Sequence, residues 1–230
     1  MSMERIKKHY MSILGLVLAL VAILPAQARA ELFDFAALTN YSGDSDAIAE
    51  QLVVNVTDTG PGSGDVFFSF YNNWDPITLS QIVPDADGPI GVITNIFFMD
   101  GDLLGNGYVA GDSGATVAFT AGGTSLPTDL QGLGFTSALF TATAEPPRPT
   151  NGVGFYPDYG VEYVTIGFDL LGGADIEGIF SALRDQSLLI GLHVQAIGEY
   201  SDWFVTPLPG AVILGLLGLG IASWKLRRFV

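Results

Sequence analysis

Ser113, set between Asp112 and Gly114 and preceded by Gly111, is the residue whose surroundings most suggest nucleophilic chemistry. A serine nucleophile needs an imidazole to take its proton and a carboxylate to orient that imidazole. The two histidines are His9, among basic residues near the N-terminus, and His193, far downstream. Neither is suited to serve Ser113, so Gly111 to Gly114 is expected to be a Gly-rich β-turn. Glycoside hydrolysis asks instead for two carboxylates at opposite faces of a sugar, one with a raised pKa. With 24 Asp and Glu, many pairs qualify and spacing selects none. No catalytic residue is assigned, and the chain is expected not to be an enzyme.

Oxygen-rich turns point to hard cations. Calcium takes about six to eight oxygens from carboxylates and backbone carbonyls on flexible loops. The candidates are Asp100, Asp102 and Asn106 in Asp-Gly-Asp-Leu-Leu-Gly-Asn-Gly, Asp85 and Asp87 in Asp-Ala-Asp-Gly, and Asp44 with Asp46. An EF-hand would need a Glu where Gly111 stands, so none completes a known loop, and solvated turn acids are the competing reading. With no Cys and one His beyond the N-terminal segment, zinc or iron held by the usual His and Cys ligands is excluded. Trp74, Tyr156, Tyr159, Tyr200 and Trp203 lie beside Asn, Asp, Gly or Pro and are expected in loops, where rings could stack on sugar faces. Packing over sheet edges is the alternative for them.

These residues sit in a strongly acidic body. Between Glu31 and Val205 the only cations are Arg148 and Arg184, while all acids but Glu4 fall there, giving two cations against 23 acids and a formal charge of −21. Such a surface repels phosphate backbones and attracts cations, so nucleic acid is excluded as a partner. Without Cys the fold must hold through its core and backbone ladders.

The elements that position these residues read as strands. Leu32, Phe33 and Phe35 open a first strand; Gln51 to Asp58 and Asp65 to Tyr71 flank a Gly-Pro-Gly turn and are expected to pair as a hairpin. Further β-prone runs are Ile77 to Val83, Ile90 to Met99, Tyr108 to Ala110 and Ala115 to Thr120. From Val161 to Leu170, Val164, Ile166, Phe168 and Leu170 share one face. The run Leu188 to Ile197 places Ile190, Leu192, Val194 and Ala196 inward and His193 and Gln195 outward. One short helix is expected, because Ile176, Ile179, Phe180 and Leu183 form an apolar stripe that could cover the core. The fold class is all-β, a sandwich or jelly roll of about eight or nine strands.

The two ends differ from this body. Arg5, Lys7 and Lys8 precede an apolar stretch from Met11 to Leu24; Ala26, Ala28 and Ala30 then give overlapping Ala-x-Ala cleavage sites, after Ala28 and after Ala30. This pattern predicts a secretory signal peptide over residues 1–30, removed by signal peptidase. At the other end Thr206-Pro207-Leu208-Pro209 leads into an uncharged run from Ala211 to Trp224, closed by Lys225, Arg227 and Arg228. That run reaches only about 21 Å as a helix, short of the ~30 Å hydrocarbon layer, so Leu208, Pro209 and snorkelling cations must lengthen it. A membrane helix over about 208–224 is expected, with the C-terminus cytoplasmic because cations follow it. The organisation is thus 1–30, a single acidic domain over 31–205, and a tail over 206–230.

The tail resembles the PEP-CTERM sorting signal of Gram-negative envelope proteins in its Pro-Leu-Pro variant, departing from Val-Pro-Glu-Pro at Thr206 and Leu208. The body is similar to secreted proteins carrying that signal in Phe68-Ser-Phe-Tyr-Asn72, Ile93 to Gly101 with Leu103-Leu104, Asn151-Gly-Val153 and Ile190 to Gln195. The resemblance implies export, membrane insertion, cleavage by an exosortase-like enzyme near Pro209, and a role at the cell surface or in extracellular polysaccharide. A structural or adhesive role is expected, with divalent cations screening the acidic surface; the alternative is a carbohydrate-binding or carbohydrate-cleaving module.

Overall fold

The computed structural model describes residues 28–58, 64–72, 74–75, 80–81, 91–100, 102–114, 116–154 and 161–206. In chain order the strands are β1 (Ala30–Asp34), β2 (Ala36–Ala37), β3 (Leu52–Asp58), β4 (Asp65–Asn72), β5 (Trp74–Asp75), β6 (Ser80–Gln81), β7 (Val92–Asp100), β8 (Leu104–Ser113), β9 (Phe119–Ala121), β10 (Phe140–Ala144), β11 (Tyr163–Leu170), β12 (Leu188–Ile197) and β13 (Tyr200–Val205). The helices are α1 (Ser45–Ala49), α2 (Thr128–Gln131) and α3 (Ile176–Asp185).

A five-stranded sheet runs β1-β3-β4-β11-β8 and a six-stranded one β2-β13-β12-β7-β10-β9, with a separate β5-β6 ribbon. Among the described residues every strand pairing is antiparallel. The expected hairpin forms as β3–β4, in register from Leu52 opposite Asn72 to Asp58 opposite Val66. Strict alternation drives this sheet: in β4, Val66, Phe68 and Phe70 are buried while the residues between them are half exposed. In β11 Val164, Ile166 and Phe168 point the same way, as expected, and Leu170 packs at the edge of that cluster.

The two sheets share one apolar layer. Phe98 of β7 meets Phe68 of β4 edge-on at 5.0 Å and Phe168 of β11 at 4.6 Å, so rings from both sheets interlock at their centre. Val54, Ile166, Ile190, Leu192, Val194 and Phe204 extend this cluster. The six-stranded sheet is also covered outside. Phe97, Met99, Leu189 and Val205 on its outer face pack against Leu126 and Leu130 of the α2 segment, which explains why Asn95-Ile-Phe-Phe-Met99 is buried on both faces.

The expected helix forms as α3. Asp175 caps it by accepting from Gly178 N at 2.9 Å, and Gln186 ends it in the left-handed region at φ 70°. Ile176, Ile179, Phe180 and Leu183 are buried, and Phe180 lies 6.0 Å from Phe33. Two ion pairs, Arg29 with Glu177 and Arg184 with Glu31, tie α3 to the start of β1.

Several expectations are corrected, the strand number among them: thirteen strands are described rather than eight or nine, because two- and three-residue strands such as β2, β5, β6 and β9 are too short to show an alternation. Among the described residues there are three helices rather than one; α1 and α2, of five and four residues, are too short to show a periodicity. Gly111 to Ser113 is not a turn but the end of β8, opposite Thr165 to Tyr163 of β11. Ala196 does not point inward: β12 shifts register between Gln195 and Ile197, leaving Ala196 exposed at φ 61° and Ile197 buried. No helix among the described residues is long and apolar enough to cross a membrane.

Candidate binding cleft at the β12–β13 turn

The register shift in β12 shapes an open cleft at the surface. A bulge adds one residue to a strand and increases the local twist. Here it turns Ala196 outward, and Gly198 at φ 60° with Glu199 closes the hairpin into β13. Tyr200 then stands at the strand end, 57 % exposed.

A second aromatic is brought to it by a buried carboxylate. Asp202, on β13 opposite Val194, accepts hydrogen bonds from Thr39 Oγ1 at 2.8 Å, Tyr41 N at 2.7 Å, Ser42 N at 3.1 Å and Ser42 Oγ at 2.5 Å. Burial alone would raise this carboxyl, but the bonds from Ser42, Tyr41 and Thr39 outweigh it and hold its pKa below the ordinary value. The loop around Tyr41 is thereby fixed beside the turn, with Tyr41 62 % exposed. Tyr41, Tyr200, Gln195, Glu199, Ser201 and Pro149 line a cleft of about 640 Å³. Two rings with an amide, a hydroxyl and a carboxylate can stack on a sugar and hydrogen-bond its hydroxyls. Glu199 is the sole carboxylate among the described lining residues, whereas hydrolysis of a glycoside needs two.

Trp203 and Tyr200, expected in loops, stand on β13. Trp203 is half buried; its ring stacks on His193 with centroids 4.2 Å apart and lies 5.7 Å from Phe97. His193 Nδ1 is 3.4 Å from Asn95 Oδ1. Burial, and then the charge of Arg148, push the His193 pKa down, against the smaller pull of Asp202. A second buried carboxylate, Glu162, accepts from Gly154 N at 2.9 Å and Thr116 Oγ1 at 3.2 Å; burial raises its pKa more than these bonds lower it.

The cation candidates are scattered. Asp102 and Asn106 are exposed, and Asn106 Nδ2 donates to Asp169 Oδ2 at 3.4 Å. Asp44 and Asp46 flank the start of α1. No three His, Asp or Glu side chains among the described residues converge in a way that could hold a metal. The backbone places Asp100 opposite Leu188 and Trp74 opposite Gln81. Asp85, Asp87, Tyr156, Tyr159, Pro207, Leu208, Pro209, Lys225, Arg227 and Arg228 lie outside the described residues. Thr206 is fully buried, its N donating to Ile190 O at 3.0 Å and its Oγ1 accepting from Ile190 N at 3.2 Å.

Tyr41 was missed by the sequence reading, although Asn40 and Gly43 beside it satisfy the same rule that selected the other aromatics. Comparison of the chain with protein-family models, with curated proteins and with solved structures yields no match.

Proposed function

We propose that this chain is an exported, non-enzymatic β-sandwich of the cell envelope or extracellular matrix that adheres to polysaccharide through the Tyr41–Tyr200 cleft. In this reading a signal peptide within residues 1–30 is removed, after Ala28 or after Ala30, and the acidic domain that follows lies outside the inner membrane. The tail over 206–230, with its helix near 208–224, anchors the protein or is cut by an exosortase-like enzyme. The face-to-face sheets support the sandwich, in a jelly-roll-like arrangement. The basic, apolar ends support export, and the resemblance to PEP-CTERM signals supports the sorting step.

The observation that carries the adhesive part is the pair of exposed tyrosines from distant segments, held in one cleft with the hydrogen-bonding groups of Gln195, Ser201 and Glu199. A neutral or cation-bridged polysaccharide suits it, because a body of charge −21 repels anionic chains. Divalent cations, calcium among them, would screen or bridge the acidic faces.

Affinity electrophoresis of the exported protein in gels containing neutral polysaccharide tests this. Retardation that falls about two- to tenfold in each of Tyr41→Ala and Tyr200→Ala is expected, since stacking on one ring is worth about 0.5–1.5 kcal/mol beyond its buried area. Equal retardation of all three proteins overturns the cleft as the site. Release of reducing ends by the unaltered protein would instead favour the carbohydrate-cleaving alternative.

A further inference from the structure

The sequence offers two overlapping cleavage sites, after Ala28 and after Ala30, and the folded body does not treat their products alike. β1 starts at Ala30, which lies opposite Thr57. Arg29 adds one more rung to that ladder: its N donates to Asp58 Oδ1 at 2.8 Å, and its carbonyl accepts from Asp58 N at 3.2 Å. Its guanidinium reaches Glu177 Oε1 on α3 at 2.8 Å. Asp58 itself is buried, with 9 % of its surface exposed.

We infer that the mature chain begins at Arg29, cut from Ala28, and that its new α-ammonium pairs with the Asp58 carboxylate. This rests on the export reading above. Hydrolysis of the Ala28–Arg29 peptide bond consumes one water and leaves a carboxylate on Ala28 and an ammonium on Arg29. The atom that donates to Asp58 as an amide then donates as a cation, and charge-assisted bonds of this kind are about twice as strong as neutral ones. An α-amino group, with an ordinary pKa of about 7.7–8.0, is mostly protonated at neutral pH even before the carboxylate favours its charge.

Cleavage after Ala30 would remove the rung opposite Thr57, both backbone bonds to Asp58 and one of the two ion pairs that hold α3 to β1.

The test uses the full-length gene in an exporting host, with the exported protein sequenced from its N-terminus and weighed intact. A first residue of Arg29 is expected. A chain starting at Glu31 overturns this inference and leaves the export reading standing; a chain that retains Met1 overturns the export reading itself. The pairing is read separately. No Lys lies between Lys8 and Lys225, so the α-amine is the only amine of the body. Its reaction with a succinimidyl ester at neutral pH, followed on the N-terminal peptide, should be about tenfold slower in the folded protein than in denaturant, because a neighbouring carboxylate shifts such a group by about one pKa unit or more. Equal rates in the two states overturn the pairing with Asp58.

Discussion

Asp202 and Glu162 are both buried carboxylates, yet folding moves them in opposite directions because their donors differ in number. Four bonds outweigh burial at Asp202; two do not at Glu162. With a lowered folded pKa, Asp202 contributes stability that is complete above its unfolded pKa, about 3.9, and is lost as pH falls through the folded value. Asp202→Asn should therefore cost about 1–3 kcal/mol at neutral pH, read from the urea midpoint, and the deficit should shrink below about pH 4. A deficit that holds steady with pH would show that the charge has no part in it. Glu162 has the opposite sign: the folded state binds its proton more tightly, so its contribution improves as pH falls and worsens as pH rises through the raised pKa. The same Asp202→Asn change loosens the loop that carries Tyr41, and weaker retardation in polysaccharide gels should accompany it.

At the scale of elements, the α2 segment is held to the outer face of the six-stranded sheet by a close approach at Gly191. A Cβ there would lie 2.7 Å from Leu130 Cδ1 and 3.4 Å from Met99 Cε. Gly191→Ala should destabilise by about 1–3 kcal/mol through overpacking, lowering the melting temperature. Adding Leu130→Ala should then cost less than it does alone, because the shortened side chain makes room; strictly additive losses would mean that α2 does not rest on this strand. How much of this was legible follows the strength of each periodicity. The β3–β4 hairpin, the inner face of β11 and the stripe of α3 were read from sequence because apolar residues recur there without interruption. In β12 the alternation breaks at a single extra residue, which leaves no mark in composition, so Ala196 was placed on the wrong side. β13 does not show in the sequence, where Tyr200 and Trp203 read as loop aromatics because Gly198 and Asp202 lie close by; Asp202 and Trp203 are held by tertiary partners, the Thr39–Ser42 loop and His193. The cleft could not be read at all: Tyr200 was visible as an aromatic beside a turn, but its meeting with Tyr41 depends on Asp202 bridging segments about 160 residues apart.

For the whole molecule, charge is the term that composition sets and packing does not cancel. The ion pairs of Arg29 with Glu177 and of Arg184 with Glu31 both join α3 to β1. Arg148 donates its Nε to Ala144 O at 2.8 Å. The excess of acids leaves a formal charge of −21 between Glu31 and Val205, which repels itself. Self-repulsion of this kind opposes the compact state and is screened by salt, the Debye length falling from about 30 Å at 0.01 M to about 8 Å at 0.15 M. Raising NaCl over that range should stabilise the exported protein by about 1 kcal/mol, a rise of about 2–4 °C in melting temperature. Calcium at matched ionic strength should do more, since a divalent ion accumulates more strongly at an acidic surface. Its effect should keep growing with concentration, because the described acids do not converge on a metal. A calcium effect that saturates would instead mark a built site that binds only the folded state, as mass action requires, and would return attention to Asp85, Asp87 and Asp100. A melting temperature indifferent to both salts would remove self-repulsion as a determinant of this fold.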